Sequence, residues 1–278
     1  FNPVAQVKFV HTAAAGYTTG AMFVLGVSAW YMLKGRDLNF ARRSFAVAAG
    51  FGLASVLSVI TLGDESGYEL GDVQKMKLAA IESEWETHEP PASFKLFGIP
   101  DMKGEETHYE VKVPWLMGLI ATRSLTEPVA GIKELTQANR EKIVKGARAY
   151  ELLEKMRDGE ASVSERVAFE EVKEHLGYGL LLKRYTEEPS AATPDQIQKA
   201  TMDTVPNVPV VFWSFRLMVV AGFIMLFIFA ASVFYCAKRQ ASEKRWLLKM
   251  ALWAIPLPWL AAELGWITAE MGRQPWAI

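Results

Sequence analysis

Apolar and ionised residues are segregated along this chain. No residue ionised at neutral pH lies between Lys8 and Lys34, or between Arg43 and Asp64. A third run extends from Thr204 to Ala237 with Arg216 as its one interruption, and a fourth from Met250 to Ala269 is interrupted by Glu263 alone. Each run has the roughly 20 residues a helix needs to cross a hydrocarbon core of about 30 Å. Helices also satisfy the backbone groups that lipid cannot. The pattern predicts an all-α fold, a polytopic membrane helix bundle with four spans at 8–33, 44–63, 208–237 and 250–271. Short loops at 34–43 and 238–249 join them, and a large, mainly helical extracytoplasmic domain fills 64–203.

Within that polar domain the punctuation is helical. A stretch from Asp72 to Glu86 stops at the breaker His88-Glu89-Pro90-Pro91, and a second from about Val129 to Asp158 places Ile132, Leu135, Ile143, Ala147, Tyr150 and Leu153 near one stripe. Ser162 with Glu165, and Thr193-Pro194 with Gln196, are helix-start signals. The alternating patches between Phe94 and Trp115 suit strands or irregular loop.

Charge assigns sides. The 34–43 loop carries Lys34, Arg36, Arg42 and Arg43 against Asp37, and the 238–249 loop has five basic residues against Glu243, so both are expected on the cytoplasmic side. The segment from Asp64 to Asp203 holds 27 acids against 18 Lys and Arg. That balance places it in water and excludes nucleic acid as a partner, and the two basic loops put it on the outer side. The single cysteine, Cys236, permits no internal disulfide and has no metal-site spacing. The chain lacks an initiator Met and stops after Trp276-Ala277-Ile278, which reads as an internal fragment of a longer polypeptide.

Ionisable and ligating residues inside spans each call for a reason, because insertion costs roughly 2.5–3.5 kcal/mol apiece. His11 lies near the outer end of the first span and Met218 in the outer half of the third. Imidazole and thioether can fill both axial positions of an electron-transfer haem, although each is also a common packing residue. Arg216, about 200° around the helix from Met218, can reach a haem propionate or snorkel to the interface. Glu263 and Glu270 share a face of the fourth span with Trp266 and Ile267 between them, suiting proton relay, metal ligation or simple burial against a polar helix. Outside the membrane, Lys77 and Glu82 can flank a pocket or lie on a solvated face. His88, His108 and His175 have no ligand spacing and read as surface residues.

The stretches KFVHT (8–12), GDESGYELGDVQKMKLAAIE (63–82), GYGLLLKRY (177–185) and GRQPW (272–276) resemble subunit I of cytochrome bd ubiquinol oxidase, and the likeness covers essentially the whole chain. The resemblance implies a quinol oxidase of the bacterial inner membrane that couples two-electron quinol oxidation to four-electron reduction of oxygen to water. Its cofactors would be a low-spin haem b, a high-spin haem b and haem d. It implies His11 and Met218 as axial ligands of the low-spin haem, with Arg216 beside it. Glu270 matches the axial carboxylate of the high-spin haem b and Trp266 its aromatic neighbour, while Glu263 matches a carboxylate near the haems whose role stays open.

By the same resemblance, the polar domain corresponds to a quinol-binding loop of the long type, and Lys77 and Glu82 match residues of quinol oxidation. GRQPW opens an outer-face segment at 272–278. The family's earlier helices, which carry the haem d histidine, and its last helices have no counterpart here. Subunit II, a small accessory subunit, membrane lipid and the remaining helices of subunit I are the implied partners, and the piece alone is expected to be inactive. A haem-free receptor or transporter with an outer sensing domain shares the hydropathy and is the alternative, as is a purely structural piece.

Overall fold

The computed structural model describes residues 3–121 and 123–276, with side chains throughout except at residues 3, 4 and 72. Two compact units result: residues 1–73, 120–123 and 210–270 in one, and residues 74–119, 124–209 and 271–278 in the other.

The first unit is built from apolar helices. Helix α1 (Pro3–Lys34) and α2 (Leu38–Val73) are joined by a tight turn, in which Gly35 takes φ 68° while its N–H and that of Arg36 bond back to Met32 and Tyr31. A glycine past a helix end accepts this left-handed conformation without a Cβ penalty. Helix α9 (Val208–Ala237), short α10 (Arg245–Trp253) and α11 (Leu257–Gly272) supply the rest. The core centres on Met22, Leu25, Phe45, Ile228, Phe229 and Leu248. Two glycines permit close crossings: a Cβ on Gly52 would lie 2.1 Å from the Phe229 ring, and one on Gly26 would lie 2.4 Å from Ile255. Small residues at helix contacts are the usual device in lipid, where no hydrophobic gradient drives association.

Two of the described helical segments, Leu38–Gly71 and Val208–Ala237, are long and apolar enough to cross a membrane. The pair α10 and α11, bent by 42° at its break, makes a third if read as one span. The four spans expected above are thus not all matched. The first run does form a continuous helix, but Thr12, Gly16, Thr18, Thr19 and Gly20 dilute its apolar character. Its threonine hydroxyls bond to carbonyls four residues back, Thr18 to Ala14 at 3.0 Å and Thr19 to Ala15 at 2.9 Å. The fourth run is interrupted because Pro256 has no N–H to donate and its ring crowds the preceding turn. Both basic loops meet: Arg42 Nε donates to Ser242 Oγ at 2.8 Å, joining the start of α2 to the α9–α10 connection.

The second unit is mixed rather than purely helical. It contains α3 (Lys75–Glu82), an antiparallel hairpin β1 (Phe94–Asp101) and β2 (Glu106–Val113), and α4 (Leu116–Ala121). The long α5 (Ile132–Arg157) follows, then α6 (Val163–Val172), α7 (Leu176–Leu180) and α8 (Pro194–Met202). Strands therefore occupy the patch between Phe94 and Trp115. Both capping boxes form: Ser162 Oγ accepts from Glu165 N at 3.3 Å, and Gln196 Oε1 accepts from Thr193 N at 2.8 Å. The first box also holds the Glu165 carboxyl at about 2, through the Ser162 backbone and hydroxyl and then Lys155.

Ile143, Leu181, Leu182 and Ala200 form one core of this unit, and Ala79, Ala80, Trp85, Ile132 and Val208 another. Gly146 and Gly179 let α5 and α7 touch backbone to backbone, since a Cβ on either would fall within 2.3 Å of the other's main chain.

Candidate functional site

Helix α3 is short, yet it buries an acid and a cation: Lys77 is 6% exposed and Glu82 3%. A solvated face for these two residues is therefore ruled out. Lys77 lays its aliphatic stem over the backbone of Gly272, where a Cβ would lie 2.9 Å from Lys77 Cγ. Trp276 packs edge-on against Tyr178 at 4.7 Å between ring centroids, and Lys142 lies over the same tyrosine ring at 5.2 Å. Three of the stretches singled out in the sequence, ending at Glu82, beginning at Gly177 and spanning 272–276, thus supply residues to one unit. Residues 277 and 278 of the outer-face segment lie outside the described residues.

The end of α3 is held in an uncommon conformation. Ser83 is left-handed at φ 55°, with its N–H on Ala80 and that of Glu84 on Ala79 at 2.8 Å. For a residue with a Cβ this region is unfavourable by roughly 1–2 kcal/mol, and three neighbours compensate. Thr107 Oγ1 lies 2.6 Å from Ser83 Oγ and accepts from Trp85 Nε1 at 2.9 Å, while Lys95 Nζ donates to the Ser83 carbonyl at 2.8 Å. Lys95 is 4% exposed, so strand β1 buries its lysine and turns Leu96, Phe97 and Ile99 outward.

Lys95 also pairs with Glu84 at 3.0 Å, and His88 Nδ1 donates to the same Glu84 oxygen at 2.6 Å. Burial alone pushes the Glu84 carboxyl up; the His88 hydrogen bond and the Lys95 charge outweigh it and hold the group below the ordinary carboxylate value. The other Glu84 oxygen, Oε1, is buried with no hydrogen-bond partner among the described residues, and so is Gln74 Oε1 immediately before α3. Unmade bonds to buried acceptors cost about 1–3 kcal/mol each. Two buried acceptors without a partner among the described residues thus flank the helix.

In the first unit, His11 on α1 faces Gly63 on α2, where a Cβ would lie 3.4 Å from the imidazole Cε1, and its buried Nδ1 has no partner in hydrogen-bond geometry among the described residues. Met218 packs its sulfur on Gly265 of α11, 3.0 Å from the position of a Cβ. Ser214 one turn earlier meets Thr268 Oγ1 at 2.8 Å, so one face of α9 is tied to one face of α11. Arg216 does not snorkel outward. It is 6% exposed and folds back over the Phe212 ring, 3.4 Å from the centroid. The opposite stripe of α11 is open: Glu263 is exposed, Trp266 is 63% exposed and Glu270 half-buried.

Several of these residues gave no signal in the sequence. Glu84 and His88 are four apart but the chain leaves the helix between them, so His88 reads as a surface residue until its buried partner is seen. Lys95 was visible only as a lone cation in an apolar stretch. Arg123, which pairs with Glu65 and stacks 4.1 Å over Tyr68, is separated from them by more than fifty residues. No group of three or more His, Cys, Asp or Glu among the described residues could hold a metal ion unaided.

The family model of cytochrome bd terminal oxidase subunit I matches residues 1–278. The chain is 44% identical over 278 residues to cytochrome bd-II ubiquinol oxidase subunit 1 of Escherichia coli, covering all of this chain and 54% of that one. It is 30% identical over 277 residues to cytochrome bd ubiquinol oxidase subunit 1 of Bacillus subtilis, covering 47% of it. The chain therefore spans about half the length of the curated relatives it matches. In fold it is similar to the bd oxidase structure from Geobacillus thermodenitrificans, with a TM-score of 0.66 at 22% identity over 99% of this chain and 48% of that one.

Proposed function

The chain belongs to the cytochrome bd terminal oxidase subunit I family, and from that premise we propose that it carries the quinol-oxidising and haem-binding part of a respiratory oxidase reducing O2 to water. The strongest support is the burial of Lys77 and Glu82 on one eight-residue helix flanked by unpartnered acceptors. In water such residues would be solvated; buried, they suit a polar head group that enters a largely apolar site. Lys77 would hold a quinol oxygen by a charge-assisted bond, and Glu82 would take the hydroxyl proton. Two protons and two electrons leave each quinol, and four of each convert O2 to two waters.

His11 and Met218 would hold a low-spin haem b, with Arg216 beside it. Glu270 would ligate the high-spin haem b next to Trp266, with Glu263 nearby and haem d elsewhere in the complete subunit. When bound, these groups store and pass single electrons. The placement of His11 against Gly63 and of the Met218 thioether against Gly265 fits that role. The open stripe of α11 fits a helix completed by other chain segments, because an exposed Glu263 is costly in lipid. Subunit II and an accessory subunit would be the partners in a bacterial inner membrane. The four-span topology with the basic loops in the cytoplasm and the 64–203 domain outside completes the proposal. Nothing among the described residues favours a haem-free receptor or transporter.

The test uses the full-length oxidase with its partner subunit. Replacing Lys77 and Glu82 by Ala should abolish quinol oxidation while leaving the reduced-minus-oxidised haem spectrum intact. Undiminished turnover would remove the assignment. His11→Ala and Met218→Leu should each remove the low-spin b signal, and an unchanged signal would remove the ligation.

A further inference from the structure

The proposed quinol site has a proton acceptor but, so far, no route by which protons leave a buried carboxylate. Glu84 lies two residues beyond Glu82 and is 1% exposed. Of the two side chains that touch its carboxylate, Lys95 is 4% exposed at the side chain and His88 38%. One carboxylate oxygen, Oε1, is buried without a partner among the described residues, and the other is bonded to an imidazole that reaches the surface. A buried acceptor joined to a partly exposed titratable ring is the arrangement a proton conduit needs, and imidazole is the side chain whose ordinary pKa suits release near neutrality.

We propose that Glu84 and His88 form the outlet through which protons leave the quinol site, with His88 handing them to solvent; this rests on the quinol-oxidation reading above. The O–H bond of the acid at the quinol site breaks as one forms at Glu84 Oε1, an N–H bond of the protonated imidazole breaks as its proton goes to water, and transfer of the Glu84 proton to the ring then restores both groups, with no electron moved. Glu82, Glu86 and Glu89 share the segment with the pair; Glu110 of β2 lies 3.6 Å from Lys95 and pairs with Lys112, and Lys133 of α5 is bound to Glu86 at 2.9 Å. The backbone bridge of His88 to Val129 is independent of its ring, so replacing the side chain leaves the local fold tied.

The experiment is steady-state quinol oxidation by the assembled full-length oxidase. His88→Ala is expected to lower kcat about tenfold or more, with the quinol KM within about twofold of wild type, the haem difference spectrum unchanged and most of the loss restored by added imidazole. His88→Gln keeps a donor to Glu84 but cannot carry a proton, so it should lose as much as His88→Ala; a purely structural role would leave it active. Wild-type kcat in either variant, or a loss in His88→Ala that imidazole does not restore, overturns the proposal. Glu82→Gln assayed in parallel separates the two ideas. If it is inactive while the His88 variants turn over normally, only the outlet falls; if it turns over normally, the quinol site itself falls.

Discussion

The two units solve opposite problems with their polar residues. In the first, His11, Met218, Arg216, Glu263 and Glu270 are spread over α1, α9 and α11, and the α11 stripe with Trp266 is left open. In the second, Lys77, Glu82, Glu84 and Lys95 are all buried, and Glu84 and Lys95 pair with each other, while one oxygen each of Gln74 and Glu84 is buried without a partner among the described residues. The first unit spreads its polar side chains over separate helices. The second gathers buried charge on α3 and the segment that follows it. A polar cluster that is already buried can be tested through single side chains, whereas an open stripe is tested through the groups it holds.

The sharpest way to break the contrast is Glu82→Ala, expected to reduce quinol oxidation by at least about a hundredfold with haem content unchanged. If haem were lost as well, the two units would not be functionally separable. Next comes Gly272→Ala, whose methyl would displace the Lys77 stem. A misplaced charge at a reacting group can cost a large factor, and a rise of about tenfold in quinol KM is expected in steady-state assays.

Gly146→Ala acts on stability instead. The new Cβ meets the Gly179 backbone at 2.3 Å, so overpacking should destabilise the second unit by about 1–3 kcal/mol, read as faster proteolysis of the 124–209 segment with unchanged haem spectra. The smallest effect is on pH. Because the Glu84 carboxyl is held below its unfolded value, its contribution to stability is present above about pH 4.3 and is lost as pH falls through the lower folded value. Limited proteolysis against pH should show that acid-dependent loosening in the wild type and not in Glu84→Gln.

Much of the scaffold was legible because its causes are local. Charge-free runs mark the helices of the first unit, and Ser162 with Glu165 and Thr193 with Gln196 mark helix starts through bonds made within four residues. The break before α11 was also written locally, in Pro256, but a run read only for apolarity passes over it. Non-local causes were invisible. The inward Lys95 contradicts the strand's apolar pattern because it answers Glu84 and Ser83, and such violations of local preference gather at functional places. The Gly146 and Gly179 crossing joins residues far apart in sequence. For the proposed site, the resemblance named Lys77 and Glu82 but could not supply their burial, and Glu84, His88 and Gln74 emerge from packing alone.

The central claim is that quinol oxidation resides in the second unit and haem binding in the first. Anaerobic stopped-flow reduction of the haems in the Lys77→Ala, Glu82→Ala double variant of the full-length oxidase tests it most directly. The account predicts that quinol no longer reduces the low-spin b signal on the turnover timescale, while dithionite yields the wild-type spectrum. Reduction by quinol at the wild-type rate, or a spectrum altered by the double substitution, would contradict it.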